Sequence, residues 1–449
     1  MPRIRLLLAV FNLLFAASLF AANKPNVIII LTDDQGYGDV GFNGSTDLKT
    51  PHIDRLAYDG VRFPAGYVTH PYCSPSRAAL MAGRMQQRFG HEHNPQNSFS
   101  DHTQGIPESE ILLPARLKTA GYATSLIGKW HLGHAEPFHP LNRGFDEFFG
   151  MLSGAFNYYG TPKPDGETIM RGRDSVPAKD ISYLTDDFTD AAVDFIQRHR
   201  QKPFFLYLAY NAPHAPDHAT AKYLDRFPAL TGKRKIYAAM VSAVDDGVGR
   251  VMAELKAQGI DDHTLVFFLS DNGGRASVAN NGPLRGLKGR TYEGGVRVPF
   301  AARWPRHLPA GIEYTQPVSS LDIHATALAL AGVAAQFADR TEGVNLIPFV
   351  DGTNPKAPHD ILHWRVGGGW DFALREGNYK LAKPGLQPRV ELYDLSTDLG
   401  EQHDLADELP DVKNRLLEKH IEWDAANVPP LWLDPHVENI RQENAAGVM

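Results

Sequence analysis

The chain has 449 residues, 43% of them hydrophobic, enough to bury one large core and a smaller companion. Its formal net charge is -7, with both signs interspersed and no basic block, which argues against nucleic acid as the main partner while leaving a small sulfated or phosphorylated target open. No internal repeat and no low-complexity stretch interrupts it.

The chain opens with the basic "MPRIR" and continues as "LLLAVFNLLFAASLF", an apolar run ending in small residues near Ala21 and Ala22. That run is about fifteen residues, shorter than the roughly twenty needed to cross a bilayer. The layout is that of a secretory signal peptide, so residues 1–22 are expected to be removed, leaving an exported, periplasmic or secreted chain without stable membrane insertion.

From there, short apolar runs end in polar residues. "NVIIILTDDQG" reads as a buried strand that delivers Asp33 and Asp34 at its carboxyl end; "ATSLIGKWHLG" ends in Lys129 and His131; "PFFLYLAYNAPHAP" runs out into His214; "TLVFFLSDNGG" places Asp271 and Asn272. Between them lie helical patterns, "ESEILLPARLKTAG", "DDFTDAAVDFIQRHR" and "YAAMVSAVDDGVGRVMAELKAQG". Strands alternating with amphipathic helices predict an α/β fold with a mostly parallel sheet covered on both faces, in which ligands sit beyond the carboxyl ends of the strands. A single aspartate after a strand is ordinarily a cap or turn residue. Three carboxylates and a carboxamide brought together repel unless a cation lies among them, and four hard oxygens suit Ca²⁺ or Mg²⁺ better than Zn²⁺.

"PYCSPSRAALMAGR" holds the only cysteine. In an oxidising compartment Cys73 has no internal disulfide partner, so it is either a buried inert thiol or a residue with a chemical purpose. Ser74 is suited to cap a helix, Pro75 to its first turn, and "SRAALMAGR" continues as helix to Gly83. Cys73 is thus expected just ahead of a helix N-terminus, where an anion is favoured, with Arg77 one turn in.

These segments resemble the type I sulfatases of the alkaline-phosphatase superfamily, in particular bacterial polysaccharide sulfatases. "CSPSRAALMAGR" is similar to their C-x-P-S-R signature and "GYATSLIGKWHLG" to their second one. "NVIIILTDDQGYGD" and "SDNGG" resemble their metal segments, and "GLKGRTYEGGVRVPF" the segment that carries a further lysine. The likeness runs in order to the tail motif "ELYDLSTDLGEQHDLA". It implies an alkaline-phosphatase-like catalytic domain and a sulfuric ester hydrolase in which a formylglycine-generating maturation enzyme oxidises Cys73 to formylglycine. By the same resemblance Asp33, Asp34, Asp271 and Asn272, with an oxygen of modified Cys73, hold one Ca²⁺, Mg²⁺ being the lesser choice. Arg77 holds the hydrated aldehyde, Lys129 and Lys288 grip sulfate oxygens, His214 protonates the departing sugar oxygen, and His131 takes the proton that lets sulfate leave.

The catalytic domain is expected over residues 23–352, ending where Pro and Gly crowd in "VDGTNPKAPHD". Residues 353–449 are expected to form a small α+β subdomain with an antiparallel sheet and a closing helix. "GRMQQRFGHEHNP" and "HPLNRGFDEFFG" resemble enzymes acting on sulfated polysaccharides, which points to galactose or N-acetylgalactosamine units sulfated at position 4 or 6, as in carrageenan-like or chondroitin-like chains. Ser153, His91, His93, Asn94, Tyr158, Arg285 and Trp370 are candidates for contacting such a sugar; each has an equally ordinary structural or exposed reading. Two other functions fit the same motifs: a phosphoester or phosphonate hydrolase of the superfamily, and a catalytically inactive polysaccharide-binding relative.

Overall fold

A computed structural model describes residues 24–385 and 388–434, so the expected signal peptide lies outside the described residues. Six strands make the body of the main sheet: β1 Asn26–Thr32, β2 Ala123–Lys129, β3 Glu147–Met151, β4 Phe204–Ala209, β5 Thr264–Ser270 and β6 Phe300–Arg303. Across the sheet they run β6-β5-β1-β4-β2-β3. Short strands at Val61–Arg62 and Ile312–Glu313 extend the β6 side, and a hairpin of Met170–Arg171 and Asp174–Ser175 extends the β3 side. The five strands β5, β1, β4, β2 and β3 are parallel, and β6 is antiparallel to β5.

The central strand reads NVIIILT, and residues Val27 to Leu31 are all at most 1% exposed. Alternation decides where each side chain goes. Ile28 and Ile30 join a core with helices α1 Pro51–Tyr58, α4 Leu184–His199 and α5 Gly232–Ala257. Val27, Ile29 and Leu31 join the opposite core with α2 Cys73–Ala82, α3 Leu113–Lys118 and α6 Leu321–Ala331. A strand buried on both faces needs apolar residues at every position, which is why these strands appear in the sequence as unbroken runs.

Register levels the strand ends. Leu31 lies opposite Ala209 and Thr32 opposite Ser270, while Gly128 also lies opposite Ala209. The polar residues that follow therefore emerge along one edge. The helical pattern expected in "ESEILLPARLKTAG" is helix only over Leu113–Lys118, where Pro114 occupies the first turn and the preceding residues form turns.

A second, antiparallel sheet contains β7 Ile361–Val366, β8 Asp371–Glu376, β9 Tyr379–Lys383 and β10 Glu391–Asp394 in sequential order. One face packs Trp364, Ala373 and Ala382 on Tyr67, Tyr292 and Val296 of the main body. The other packs Leu374, Leu381 and Leu392 on Leu416 of helix α7 Pro410–Asp424. The expected architecture, a large helix-flanked sheet with a small antiparallel one near the C-terminus, is the one observed.

Candidate active site

Asp33 and Asp34 leave β1 through a tight bend. Asp34 has φ 62, a left-handed conformation that is uncommon for a residue with a side chain and is held by surrounding contacts. The Asp33 amide donates to Ala212 O at 3.1 Å, and the Asp271 amide to Thr32 O at 3.0 Å. These bonds stitch together the loops that follow β1, β4 and β5. On β2, Gly128 has φ 112, and a Cβ there would meet Ala209 O at 1.9 Å. Only glycine allows that twist, which aims Lys129 at Asp33.

Cys73 is the first residue of α2, with Tyr72 extended at the N-cap. Ser74 does not cap. Its Oγ lies 2.6 Å from His91 Nε2 and donates to His131 O at 2.6 Å, binding the start of the helix to the β2 loop. Gly83 ends the helix in a left-handed C-cap, as the sequence suggested.

The charged groups converge on Cys73. Its Sγ lies 3.5 Å from Asp33 Oδ1 and 3.8 Å from Asp34 Oδ1, and Lys288 Nζ approaches it to 3.1 Å. Lys129 Nζ pairs with Asp33 Oδ2 at 2.5 Å, and Lys288 Nζ with Asp34 Oδ1 at 2.7 Å. Arg77 donates from Nε to Asp271 Oδ2 at 2.8 Å and from Nη1 to Lys129 O at 3.2 Å. The guanidinium thus anchors a carboxylate and a strand end beside Cys73.

Asn272 Nδ2 donates to Asp34 Oδ1 at 2.8 Å, whereas its Oδ1 is buried without a partner among the described residues. Asp33, Asp34, Cys73 and His214 offer ligand atoms within 4.8 Å of one another. Burial would raise Asp34, but Lys288, His214 and Lys129 outweigh it and hold the carboxyl well below the usual range. Burial and then the charge of Asp33 raise Asp271. Burial pushes the Cys73 thiol far up, which makes it a poor nucleophile as a plain cysteine.

Both histidines flank this cluster. His214 Nδ1 lies 2.6 Å from Ala215 O and donates to it, which leaves Nε2 facing the site, 3.6 Å from Asp34 Oδ2. Burial lowers its pKa and Asp34 counteracts. His131 has φ 59, its amide donates to Leu152 O at 2.9 Å, and burial holds it well below its ordinary value. Gly154 backs its ring: a Cβ there would meet His131 Nε2 at 2.4 Å.

The expected sugar contacts divide. Tyr158 is buried, with its hydroxyl 2.8 Å from both Asn211 O and His214 O, so it holds the His214 loop. His91 is likewise buried, spent on Ser74 and packed edge-on against Trp432. Ser153 Oγ donates to Ala155 O at 2.9 Å and its amide to Glu167 Oε1 at 2.8 Å, inside the loop that backs His131. Asn94 Oδ1 accepts the Ser74 amide at 3.1 Å. Arg285 lies at the seam of the two sheets, donating to Tyr393 Oη and Glu401 O at 2.8 Å and stacked over Tyr292. His93 and Trp370 both adjoin Gly367, in the turn between β7 and β8.

Sequence reasoning passed over the supports of the Lys288 loop. Glu293, Lys380 and Glu401 form a fully buried ion cluster, Lys380 Nζ lying 2.8 Å from Glu293 and 3.0 Å from Glu401. Glu293 was visible in "TYEGG", but its partners lie far along the chain and no local pattern announces them.

The sheet and the groups at its carboxyl edge define an ester hydrolase of alkaline-phosphatase-like architecture. Residues 25–333 match the Sulfatase family. The N-acetylgalactosamine-6-sulfatase of Mus musculus is 40% identical over 397 residues, covering 83% of this chain and 75% of that protein. The crystal structure of Ps i-CgsB superposes with a TM-score of 0.87 at 37% identity, over 94% of this chain and 98% of that one. Ps i-CgsB in complex with k-i-k-neocarrahexaose superposes with a TM-score of 0.86 at 37% identity, over the same shares of the two chains. The chain belongs to the sulfatase family and is a sulfuric ester hydrolase. Among the described residues no helix is long and apolar enough to cross a membrane.

Proposed function

We propose that this enzyme removes sulfate from carbohydrate, its substrates being 4- or 6-O-sulfated galactose or N-acetylgalactosamine units of an extracellular carrageenan-like or chondroitin-like polysaccharide. The observation that carries the reading is the gathering of Asp33, Asp34, Lys129 and Lys288 around Cys73 at the amino end of a helix. The names of the two relatives support the galactose-type sugar.

The donor set fits a hard cation: three carboxylates, and a buried Asn272 Oδ1 that meets no donor among the described residues. Asp33, Asp34, Asp271 and Asn272 would hold Ca²⁺ together with an oxygen of modified Cys73. When present, formylglycine at Cys73 supplies a hydrated aldehyde as nucleophile toward sulfur, and the cation polarises the sulfate.

The remaining work falls to the chain's own side chains. Lys129 and Lys288, which pair here with Asp33 and Asp34, would hold sulfate oxygens with their ammonium groups. His214 presents Nε2 and, in its doubly protonated form with Nδ1–H held by Ala215 O, gives the Nε2 proton to the sugar oxygen as the S–O bond breaks and the electron pair passes to that oxygen. His131, buried and neutral, takes the proton whose removal lets sulfate depart. Arg77 keeps Asp271 and the Lys129 strand end in register with these groups.

Export, maturation by a formylglycine-generating enzyme, and a division of the chain at residues 352 and 353 complete the proposal. Its test is mass spectrometry of the tryptic peptide from Phe63 to Arg77, with protein co-produced with such an enzyme, followed by turnover of matched aryl sulfate and aryl phosphate. An aldehyde at Cys73 and preferred release of sulfate are expected. An intact thiol alongside a working control, or a dominant phosphatase rate, refutes the mechanism.

A further inference from the structure

The loop that delivers Lys288 carries a second cation two residues further on, Arg290. Arg290 closes a turn through its amide to Leu287 O at 3.1 Å, and its Cα stands at most about 7 Å from that of Lys288. Lys288 touches Cys73 Sγ, whereas the Arg290 side chain is 50% exposed. It approaches Asp371 Oδ2 only to 3.9 Å, beyond hydrogen-bond distance, and the other oxygen of Asp371 takes the Thr291 hydroxyl.

Two glycines shape the surface around it. Gly385 has φ 61, and a Cβ there would lie 3.2 Å from Arg290 Nη1 and 3.3 Å from Trp370 Cζ3, so the guanidinium and the indole flank the same bare backbone. At Gly289 a Cβ would meet Tyr72 Oη at 2.7 Å, which sets the phenol against the backbone between the two cations. Tyr72 immediately precedes Cys73. An arginine and a partly exposed indole thus share one glycine, and a phenol packs on the residue between that arginine and Lys288, which reaches Cys73. A planar guanidinium fork matches sulfate and carboxylate geometry, and aromatic walls suit a sugar's apolar faces.

We propose that Arg290, flanked by Trp370 and Tyr72, is a specificity residue that binds an anionic substituent on the sugar next to the one being desulfated. The preferred substrate is then a multiply charged oligosaccharide, an inference that rests on the carbohydrate reading above. A chain of net charge -7 repels a polyanion at long range, so positive charge beside the site has to supply the discrimination.

The test compares parent, Arg290→Ala and Arg290→Lys on oligosaccharides that share one scissile sulfate and differ only in whether the neighbouring sugar bears a second sulfate, a carboxylate or neither. The parent is expected to favour a charged neighbour. Arg290→Ala should lower that preference at least tenfold, chiefly through KM, and flatten its dependence on salt; Arg290→Lys should restore part of it. Whichever anion loses more on substitution is the one recognised. An unchanged preference in Arg290→Ala, equal loss on all three substrates, or a parent indifferent to the neighbour overturns the proposal while leaving the carbohydrate reading standing. A parent that releases sulfate from aryl sulfate but from no sugar overturns both.

Discussion

Replacing Lys380 by methionine isolates the ion cluster that backs the Lys288 loop. Lys380 is wholly buried on β9, 2.8 Å from Glu293 and 3.0 Å from Glu401, with its ammonium near the Trp364 ring. Burial alone would raise Glu293, but Lys380, Arg297 and Arg375 hold its carboxyl well below the usual range. Glu401 is pushed up by burial despite Lys380. Removing one partner of a buried pair costs about 3–5 kcal/mol, because the remaining charge has neither water nor counter-ion. Here Glu293 keeps Arg297 at 3.1 Å and the Tyr67 hydroxyl at 2.6 Å, and Glu401 can take up a proton, so about 3 kcal/mol is expected. Urea unfolding at fixed calcium, followed by tryptophan fluorescence and ellipticity together, measures it. The double variant Lys380→Met/Glu401→Gln should recover about 1 kcal/mol relative to the single one, since the carboxylate left stranded is gone. A loss below about 1 kcal/mol for the single variant, or strict additivity in the pair, refutes the view that this cluster is electrostatically coupled.

Other expectations concern the site and its frame. Cys73→Ser should keep the fold yet lose turnover by at least about a thousandfold, and steady-state activity near the parent's rules out formylglycine chemistry. His214→Ala should slow sugar sulfates by roughly a hundredfold or more and activated aryl sulfates much less; equal losses remove it from the acid role. Gly154→Ala pushes a methyl against the His131 ring, and a lowered kcat with little change in KM is expected from steady-state kinetics. His359 donates to Asp322 at 2.9 Å; burial opposes its proton, but Asp322 prevails and raises its pKa above 6.5. A raised folded value means the stabilisation is fully present below about pH 6.5 and fades as pH rises through the folded pKa. The gap in Tm between the parent and His359→Gln should therefore be widest in mild acid, and a gap independent of pH refutes the assignment.

Much of the frame was legible because burial on both faces writes itself into a strand. "NVIIILT" and "TLVFFLS" have no polar interior position, so each marks its own limits and the polar residues that follow. Helix α2 was also legible, apart from Ser74, whose hydroxyl goes to His91 and His131 O where a cap was expected. Three of the candidate sugar contacts share one trait. His91, Tyr158 and Arg285 are polar groups near the motifs, and composition does not tell a side chain that faces a ligand from one that bonds to the neighbouring loop. Arg290 escaped notice for the opposite reason: with Lys288 already claimed by a motif, nothing local distinguishes the next cation.

Cys73 is 1% exposed, walled in by Asp33, Asp34 and Lys288. Once the fold has closed, no second enzyme's active site can reach that thiol. Any modification of it is therefore a race between catalysis and folding, run while the chain is still extended. On the proposed mechanism, a molecule that folds before Cys73 is modified stays an inactive copy. The active fraction of a preparation would then record how quickly the chain folded relative to how quickly it was met, so that slowing folding raises yield and refolding finished protein does not.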